Sequence, residues 1–404
     1  MNIAAITLSS IMIFTGIMLF INLIMAMRSI MYRKLYKEST AKYDSSKTLS
    51  AAIFMPCKGI EEGAEEYLDA MLKQEYAGEH RVYFITESEN DPATALLQKF
   101  AKTRSNASVV IAGRAKECCQ KNHNLLAAIA KEQERDNPAD IFVFADADVK
   151  PGKTWLKDLT LPMTDESIHA TTAFRWLKPK KFTFWGTMHA MLSAYLGTLM
   201  SSSDGMWGGS MAVRRDVFME AGVSNVWSKT ASDDIALMSI IIKNNLKREF
   251  VPVCQAESES VINDGTALYE WFLRQVQYLK IHCPIHWITS IIFTGLNLLS
   301  ASSLLAVAFW TAMNSVTGSI NPLACVFAIA AFLIFMASLS LSRLEGKEGQ
   351  GFATWLIMSF PSLIMGFASL TGSIFRNSII WRGIRYGINP DGTVSYIKVE
   401  KENA

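Results

Sequence analysis

The sequence predicts an α/β domain built on a mostly parallel central sheet, held between membrane-spanning helices at its two ends. Three observations predict it. Short β-branched and aromatic runs alternate with helix-period segments between roughly Tyr43 and Lys280, the pattern of right-handed βαβ units. One uncharged apolar run precedes that stretch and three follow it, each about long enough to cross a bilayer core as a helix. Only 19% of the 404 residues are charged, against about a quarter in a soluble chain.

In chain order, Ile3 to Met27 carries no charged side chain. It lacks a basic leader and a small-residue cleavage site, so a retained anchor is expected rather than a signal peptide. Arg28, Arg33, Lys34 and Lys37 follow, and the positive-inside rule then places the next segment in the cytoplasm. Residues 1–42 thus form an anchor with a basic flank, and 43–280 a cytoplasmic domain. A C-terminal membrane block at 281–375 holds Trp287 to Met313, Leu323 to Leu341 and Ala353 to Thr371, and 376–404 is a tail. Three crossings there would leave Arg376, Arg382 and Arg385 outside, against the same rule. A re-entrant run, a helical hairpin within the longest run, or an exception to the rule would each resolve it.

Within the domain, Ala51 to Met55, Arg81 to Thr86, Ser108 to Ala112 and Ile141 to Ala145 read as strands. Glu62 to Gln74, Pro92 to Lys102 and Asn122 to Glu134 read as the helices between them. Open sheets of this kind bind ligands beyond the carboxyl ends of the strands. Those ends carry Pro56-Cys57-Lys58-Gly59, then Glu87-Ser88-Glu89-Asn90-Asp91-Pro92, and Asp146-Ala147-Asp148. Two carboxylates at i and i+2 on the sheet rim suit a hard divalent ion, Mg²⁺ or Mn²⁺, shared with substrate phosphates. An Asp-x-Asp pair is also a common solvated loop, but the wholly apolar strand before it favours the ion. Further on, Ser232-Asp233-Asp234-Ile235 opens a helix to about Asn244. These residues read either as helix caps or as a source of an ionised general base.

Other chemistries are excluded or weak. The 39 basic and 37 acidic residues nearly cancel, leaving no field for nucleic acid. Six scattered cysteines fit neither a disulfide framework nor a zinc site and read as free thiols, with Cys118-Cys119 on a surface loop. His282 and His286 have zinc-compatible spacing without a third ligand, and read as interfacial. Walker and dinucleotide loops, serine elbows and H-E-x-x-H are missing.

Four separated features together resemble the inverting family 2 glycosyltransferases, in their ceramide glucosyltransferase-like branch. They are the Pro-x-Lys-Gly strand end, Asp146-Ala147-Asp148, Asp233-Asp234 and the Arg-rich element before the apolar block. Branch cues are Asn90-Asp91-Pro92-Ala93, the Gly208 to Arg214 segment and Trp381-Arg382-Gly383-Ile384-Arg385-Tyr386. The resemblance implies a GT-A nucleotide-sugar fold, a UDP-sugar donor and a lipid acceptor such as ceramide or a hopanoid. It further implies Asp148 as ligand of the metal on the diphosphate, with Asp146 against the ribose or behind the metal. Asp234 aligns with the catalytic base, and Asp233 is the acidic residue beside it. The uracil-side acidic residue falls at Glu87 or, second, Glu89, where the branch pattern would place an Asp at Ser88.

The family's (Q/R)-x-x-R-W motif stands here as Arg274-Gln275-Val276-Gln277-Tyr278. Lys58, Arg274, Gln277 and Tyr278 complete the implied donor site. A guanidinium clamps a diphosphate bidentately and the Gln277 amide cannot, so either Arg274 or Lys280 supplies the missing charge or the substrates differ from those of the archetype. Lys121-Asn122-His123-Asn124-Leu125 resembles the family's donor-side Lys-x-x-Asn-Leu segment. Phe182 to Met200, apolar and uncharged, reads as a core helix or as an interfacial helix facing the acceptor, with Met206 to Gly209 as the acceptor loop. A processive polysaccharide synthase is the second reading, weakened by the altered motif, and a non-catalytic relative is the third.

Overall fold

The computed structural model describes residues 3–60, 63–179, 183–202, 205–254, 256–341 and 351–400; Glu62 and Phe182, each the first residue of an expected helix, lie outside them. Strands β1 (Ala51–Pro56), β2 (His80–Thr86), β3 (Ala107–Ile111) and β4 (Ile141–Ala145) form parallel ladders. β5 (Ala170–Thr172), β7 (Ser210–Arg214) and β8 (Arg248–Phe250) extend the sheet to the order β3-β2-β1-β4-β7-β5-β8. Only β7 runs against the rest. β6 (Arg175–Pro179) and β9 (Ala256–Ser260) pair separately.

β1 and β4 are buried along almost their whole length, as strands covered on both faces must be. The helices Pro92–Lys102 and Gln120–Gln133 follow β2 and β3 as the periodicity predicts. An aromatic cluster fills one side: Phe54, Phe142, Phe144, Phe218 and Trp227 are fully buried, with Phe144 and Trp227 ring centroids 5.1 Å apart. That contact sits two residues before Asp146 and six before Asp233, so one rigid core underlies both acidic segments. Strand order reverses between β1 and β4, and the crevice at such a switch point is where α/β sheets bind ligands.

Among the described residues, four helices are long and apolar enough to cross a membrane: Ile6–Tyr36, Pro284–Val316, Pro322–Leu341 and Phe352–Phe375. Ile13, Phe20, Phe309, Phe327 and Ile357 are each more than half exposed on them, an apolar outer face of the kind that marks a membrane or protein contact. The first helix runs Ile3–Ser39, about 55 Å at 1.5 Å per residue. It outlasts a bilayer core and packs its far end on the α/β domain. There the Tyr32 hydroxyl donates to the Phe250 carbonyl at 2.7 Å. Asn22 donates to Asn297 at 2.8 Å, tying the first helix to the second. The helix Phe184–Ser202 buries most of its length against β6 and the apolar helices, while Phe184 at its start is exposed.

The tail folds as an antiparallel sheet of β10 (Ser378–Trp381), β11 (Ile384–Ile388) and β12 (Val394–Val399). It packs on the α/β domain: the Val394 amide donates to the Lys229 carbonyl at 2.7 Å, and the Gln277 side chain donates to the Ser378 carbonyl at 3.0 Å. Cys118 and Cys119 are buried, not on a surface loop, because Cys119 joins the core shared with Ile379, Ile384 and Tyr386.

Candidate active site

A solvent-open cleft lies at the β1/β4 switch point. Its lining brings together Lys58, Glu87, Asp146, Asp148, Asp233, Asp234, Arg274 and Tyr278. These residues come from five separate segments of the sequence.

The strand ends deliver the first of them. Lys58 and Glu87 follow β1 and β2 and pair at 3.6 Å. Asp91 accepts from the amides of Ala93 and Gly59, both at 2.9 Å, capping its own helix while fixing the loop after β1. Glu89 stays exposed and off the cleft. Asp146 and Asp148 leave β4, bracketed by the β6–β9 ribbon: Arg175 on β6 sits 3.4 Å from the Asp148 carboxylate. Ser258 on β9 donates its hydroxyl to the Asp148 carbonyl at 3.0 Å.

The acidic pair at 233–234 is set by a buried amide. Asn122, fully buried, donates to the carbonyls of Trp227, Thr230 and Ser232 at 3.2, 3.1 and 3.1 Å. It thereby staples the loop that ends at Asp233. The Trp227 indole donates to the Asp233 carbonyl at 3.0 Å. The Asp234 carboxylate, partly exposed to the cleft, accepts from the Gly208 amide at 3.1 Å, the Ser232 hydroxyl at 3.1 Å and the Ile235 amide at 2.7 Å. Three donors hold it in one orientation.

Lys121 joins the two acidic segments. Its ammonium lies 2.8 Å from Asp146 and 2.9 Å from Asp233. Burial pushes the Asp233 carboxyl up to about 6, against the lowering pull of Lys121. Desolvation opposes the charge on Lys121, yet the acidic groups around it, Asp146 first, hold its ammonium well above the usual range. Asp233 is thus committed to an internal ion pair, whereas Asp234 remains open to the cleft.

Because β7 runs antiparallel to β4, its first residue pairs with Ala145 and the loop before it arrives beside Asp146. A Cβ on Gly208 would meet Asp233 Oδ2 at 2.3 Å and Lys121 Nζ at 2.8 Å. Gly208→Ala is therefore expected to displace the acidic pair, and misplacements of about 1 Å cost on the order of 10²-fold in turnover. Steady-state rates beside a melting curve check it: a variant as active as wild type would contradict this packing.

The helix Gly265–His282 shows Trp271, Arg274, Gln275 and Tyr278 to the cleft, the spacing of a single helical face. Gln277 lies about 110° round from that face at 3.6 residues per turn. Its amide instead holds β10, so the neutral residue of the motif does not line the cleft. Lys280 donates to the carbonyls of Ser373, Ile374 and Arg376 and is occupied at a helix end. Arg274 is the cation of that helix that lines the cleft. Sequence reasoning did not find Arg175, Trp271 or the charge-balancing place of Lys121. Cationic or aromatic residues without a motif gave no signal.

A family model described as Glycosyl transferase family 21 matches residues 17–394. A search of curated proteins finds no match. Among solved structures, the chain is similar to a mannosyltransferase from Pyrobaculum calidifontis in complex with GDP-Man and Mn²⁺. Identity is 18% and TM-score 0.48, over 89% of this chain and 99% of that one. It is also similar to glucosyl-3-phosphoglycerate synthase from Mycobacterium tuberculosis with phosphoglyceric acid. There identity is 15% and TM-score 0.38, over 59% of this chain and 82% of that one.

Proposed function

The chain belongs to glycosyltransferase family 21, and from that premise we propose that it moves one sugar from a UDP-sugar to the hydroxyl of a membrane lipid, inverting the anomeric centre. Glucose is the leading sugar, and ceramide or a hopanoid the leading acceptor. The observation that carries this reading is the meeting, in one cleft, of the Asp146/Asp148 strand end with Asp234. Asp234 takes the proton from the acceptor hydroxyl as that oxygen attacks the anomeric carbon. The bond from that carbon to the diphosphate oxygen breaks on the opposite face, UDP leaves, and an α-linked donor gives a β-glycoside.

A divalent cation fits the residues present. Among the described residues no three His, Cys or acidic groups cluster as a complete site. Asp148, with Asp146, offers hard carboxylate oxygens at the cleft, and Mg²⁺ or Mn²⁺ commonly takes one or two carboxylates plus substrate phosphates. When bound, the cation would neutralise the departing diphosphate. Asp148→Ala is expected to remove the Mn²⁺-dependent part of UDP binding, measured by calorimetry with and without metal. Equal affinity in both conditions for variant and wild type would sink the ligand assignment.

Two features support a lipid acceptor. A slot between the Phe184–Ser202 helix and the apolar block is lined by Met191, Leu192, Phe272, Thr294, Ser362 and Gly366. The Thr294 and Ser362 hydroxyls there are buried without a hydrogen-bond partner among the described residues. Ser340 and Ser359 nearby each bond a carbonyl four residues back. Unpaired hydroxyls in an apolar slot favour a ligand that is mostly hydrocarbon with a polar group. Second, the tail sheet packs on the catalytic domain, so residues 282 and 376 share one side and the segment between crosses an even number of times. Two crossings, Pro284–Val316 and Pro322–Leu341, satisfy this, with Phe352–Gly372 dipping in from the same side. Ser340 Oγ lies 2.9 Å from Ser359 Oγ, which sets the end of the second crossing beside the first half of the third helix. The basic residues then lie in the cytoplasm with the active site.

Membranes given radiolabelled UDP-sugar, with ceramide and a hopanoid offered separately, test the reading. Single-sugar lipid supports it, a polymer replaces it with a synthase, and no product replaces it with an inert relative.

A further inference from the structure

The slot beside the Phe184–Ser202 helix and the active-site cleft share one wall. Leu192 and Phe272 stand on its slot side. On its cleft side stands Trp271, whose ring centroid lies 4.2 Å from that of His189, one turn before Leu192. The Trp271 and Phe272 centroids are 5.9 Å apart, so a single layer of side chains separates the two spaces. At its other edge the slot is lined by Tyr195 and Leu363, both partly exposed. Ile364, next to Leu363, is 48% exposed on an apolar helix. The slot thus runs from the apolar outer surface to the back of the active-site wall.

Gly366 faces into it. A Cβ there would stand 3.8 Å from Phe272 and 4.0 Å from both Leu192 and Thr294, ordinary van der Waals contacts. These neighbours belong to three other helices, and none of them crowds the position. Its φ is not positive, so the backbone does not demand glycine either. Glycine inside a helix is less stable than alanine; what its missing methyl leaves is room in the slot. Thr294 and Ser362 line the same space, 5% and 6% exposed, with hydroxyls that have no partner among the described residues. A buried hydroxyl left unpaired carries a desolvation cost that a bound hydrogen-bonding group removes.

We propose that this slot holds a hydrocarbon chain of the acceptor lipid, with Gly366 keeping it open and the Thr294 and Ser362 hydroxyls meeting a hydrogen-bonding group beside the chain. The proposal rests on the lipid-acceptor reading above. A chain held there leaves the other end of the lipid one side-chain layer from the cleft that contains Asp234, while the hydrocarbon keeps apolar surroundings.

Full-length variants in mixed micelles test it, with UDP-glucose as donor and ceramide or a hopanoid graded as mole fraction of the micelle. Gly366→Ala adds one methyl to the slot without a clash and is expected to melt at or above the wild-type temperature. Its KM for the acceptor is expected to rise about tenfold, the lower end for one methylene in an apolar pocket, with UDP affinity by calorimetry unchanged. Thr294→Val removes the unpaired hydroxyl at nearly equal shape. Without lipid it is expected to melt no lower than wild type, and with lipid its acceptor KM is expected to rise about fivefold. A purely structural role for either residue would shift the melting temperature and leave the acceptor KM alone. An acceptor KM within about twofold of wild type in Gly366→Ala overturns the proposal, as does a rise matched by an equal loss of UDP affinity. An unchanged KM in Thr294→Val overturns the polar contact. A wild-type protein that glycosylates neither lipid overturns the acceptor reading itself, a different result from wild-type transfer that both variants keep.

Discussion

Asp234→Asn is expected to bind the donor normally and to transfer sugar about 10²- to 10⁴-fold more slowly, the range that a positioned general base contributes. The substitution is close to isosteric, and the amide oxygen in the Oδ1 position can still accept from the Ser232 hydroxyl and the Ile235 amide, while the NH2 replaces the oxygen that accepts from the Gly208 amide. One of the three hydrogen bonds is lost, so a melting curve accompanies the rate measurement. What is lost is the capacity to take up a proton. Asp233 cannot readily stand in, since it is buried and 2.9 Å from the Lys121 ammonium. The effect should fall on kcat and kcat/KM alike, with the donor dissociation constant within about twofold of wild type, because the lost interaction is one made in the transition state. Asp233→Asn gives the contrast. It breaks an internal ion pair and should lower stability as well as rate. If Asp234→Asn turns over at the wild-type rate, the base lies elsewhere and the cleft loses its central assignment.

The parts of the molecule that the sequence disclosed are those decided locally. β4 is five apolar residues ended by Asp146, and its boundaries follow from that contrast alone. The Pro92–Lys102 helix begins at a proline behind an aspartate cap, a signal confined to three residues. What could not be read depends on distant contacts or on orientation. The reversed β7 brings Gly208 to the acidic pair, and no pattern within the strand announces its direction. Motif alignment placed Gln277 in the donor site, but the helix that carries it turns a different face to the cleft. Tyr386 meets the Gln120 amide through a hydrogen bond spanning 266 residues. The burial of Cys118 and Cys119 likewise depends on a sheet formed from the far end of the chain. Local chemistry was legible; pairing at long range was not.

Lys121→Met is expected to be the most destabilising single change in the site. In wild type the Lys121 side chain, 16% exposed, lies within 2.9 Å of both Asp146 and Asp233. Removing one partner of a buried ion pair leaves the other charge without compensation, at a cost of about 3–5 kcal/mol. The lower end applies here, since Asp146 retains 27% exposure and some contact with water. The loss should also change with pH in a defined direction. Burial already pushes the Asp233 carboxyl up to about 6 with the cation present, and without it the folded-state value rises further. The folded variant then binds more protons than the unfolded chain, so its stability increases as pH falls through that region. Melting curves in detergent should show the deficit of Lys121→Met at pH 7.5 shrinking toward pH 5.5. The double variant Lys121→Met with Asp233→Asn should recover part of it at pH 7.5, since one of the two stranded charges is gone. A single variant that melts with the wild type at both pH values would mean that the ammonium does not balance these carboxylates. The link it makes between the β4 end and the 232–234 loop would then have to come from the aromatic core beneath them.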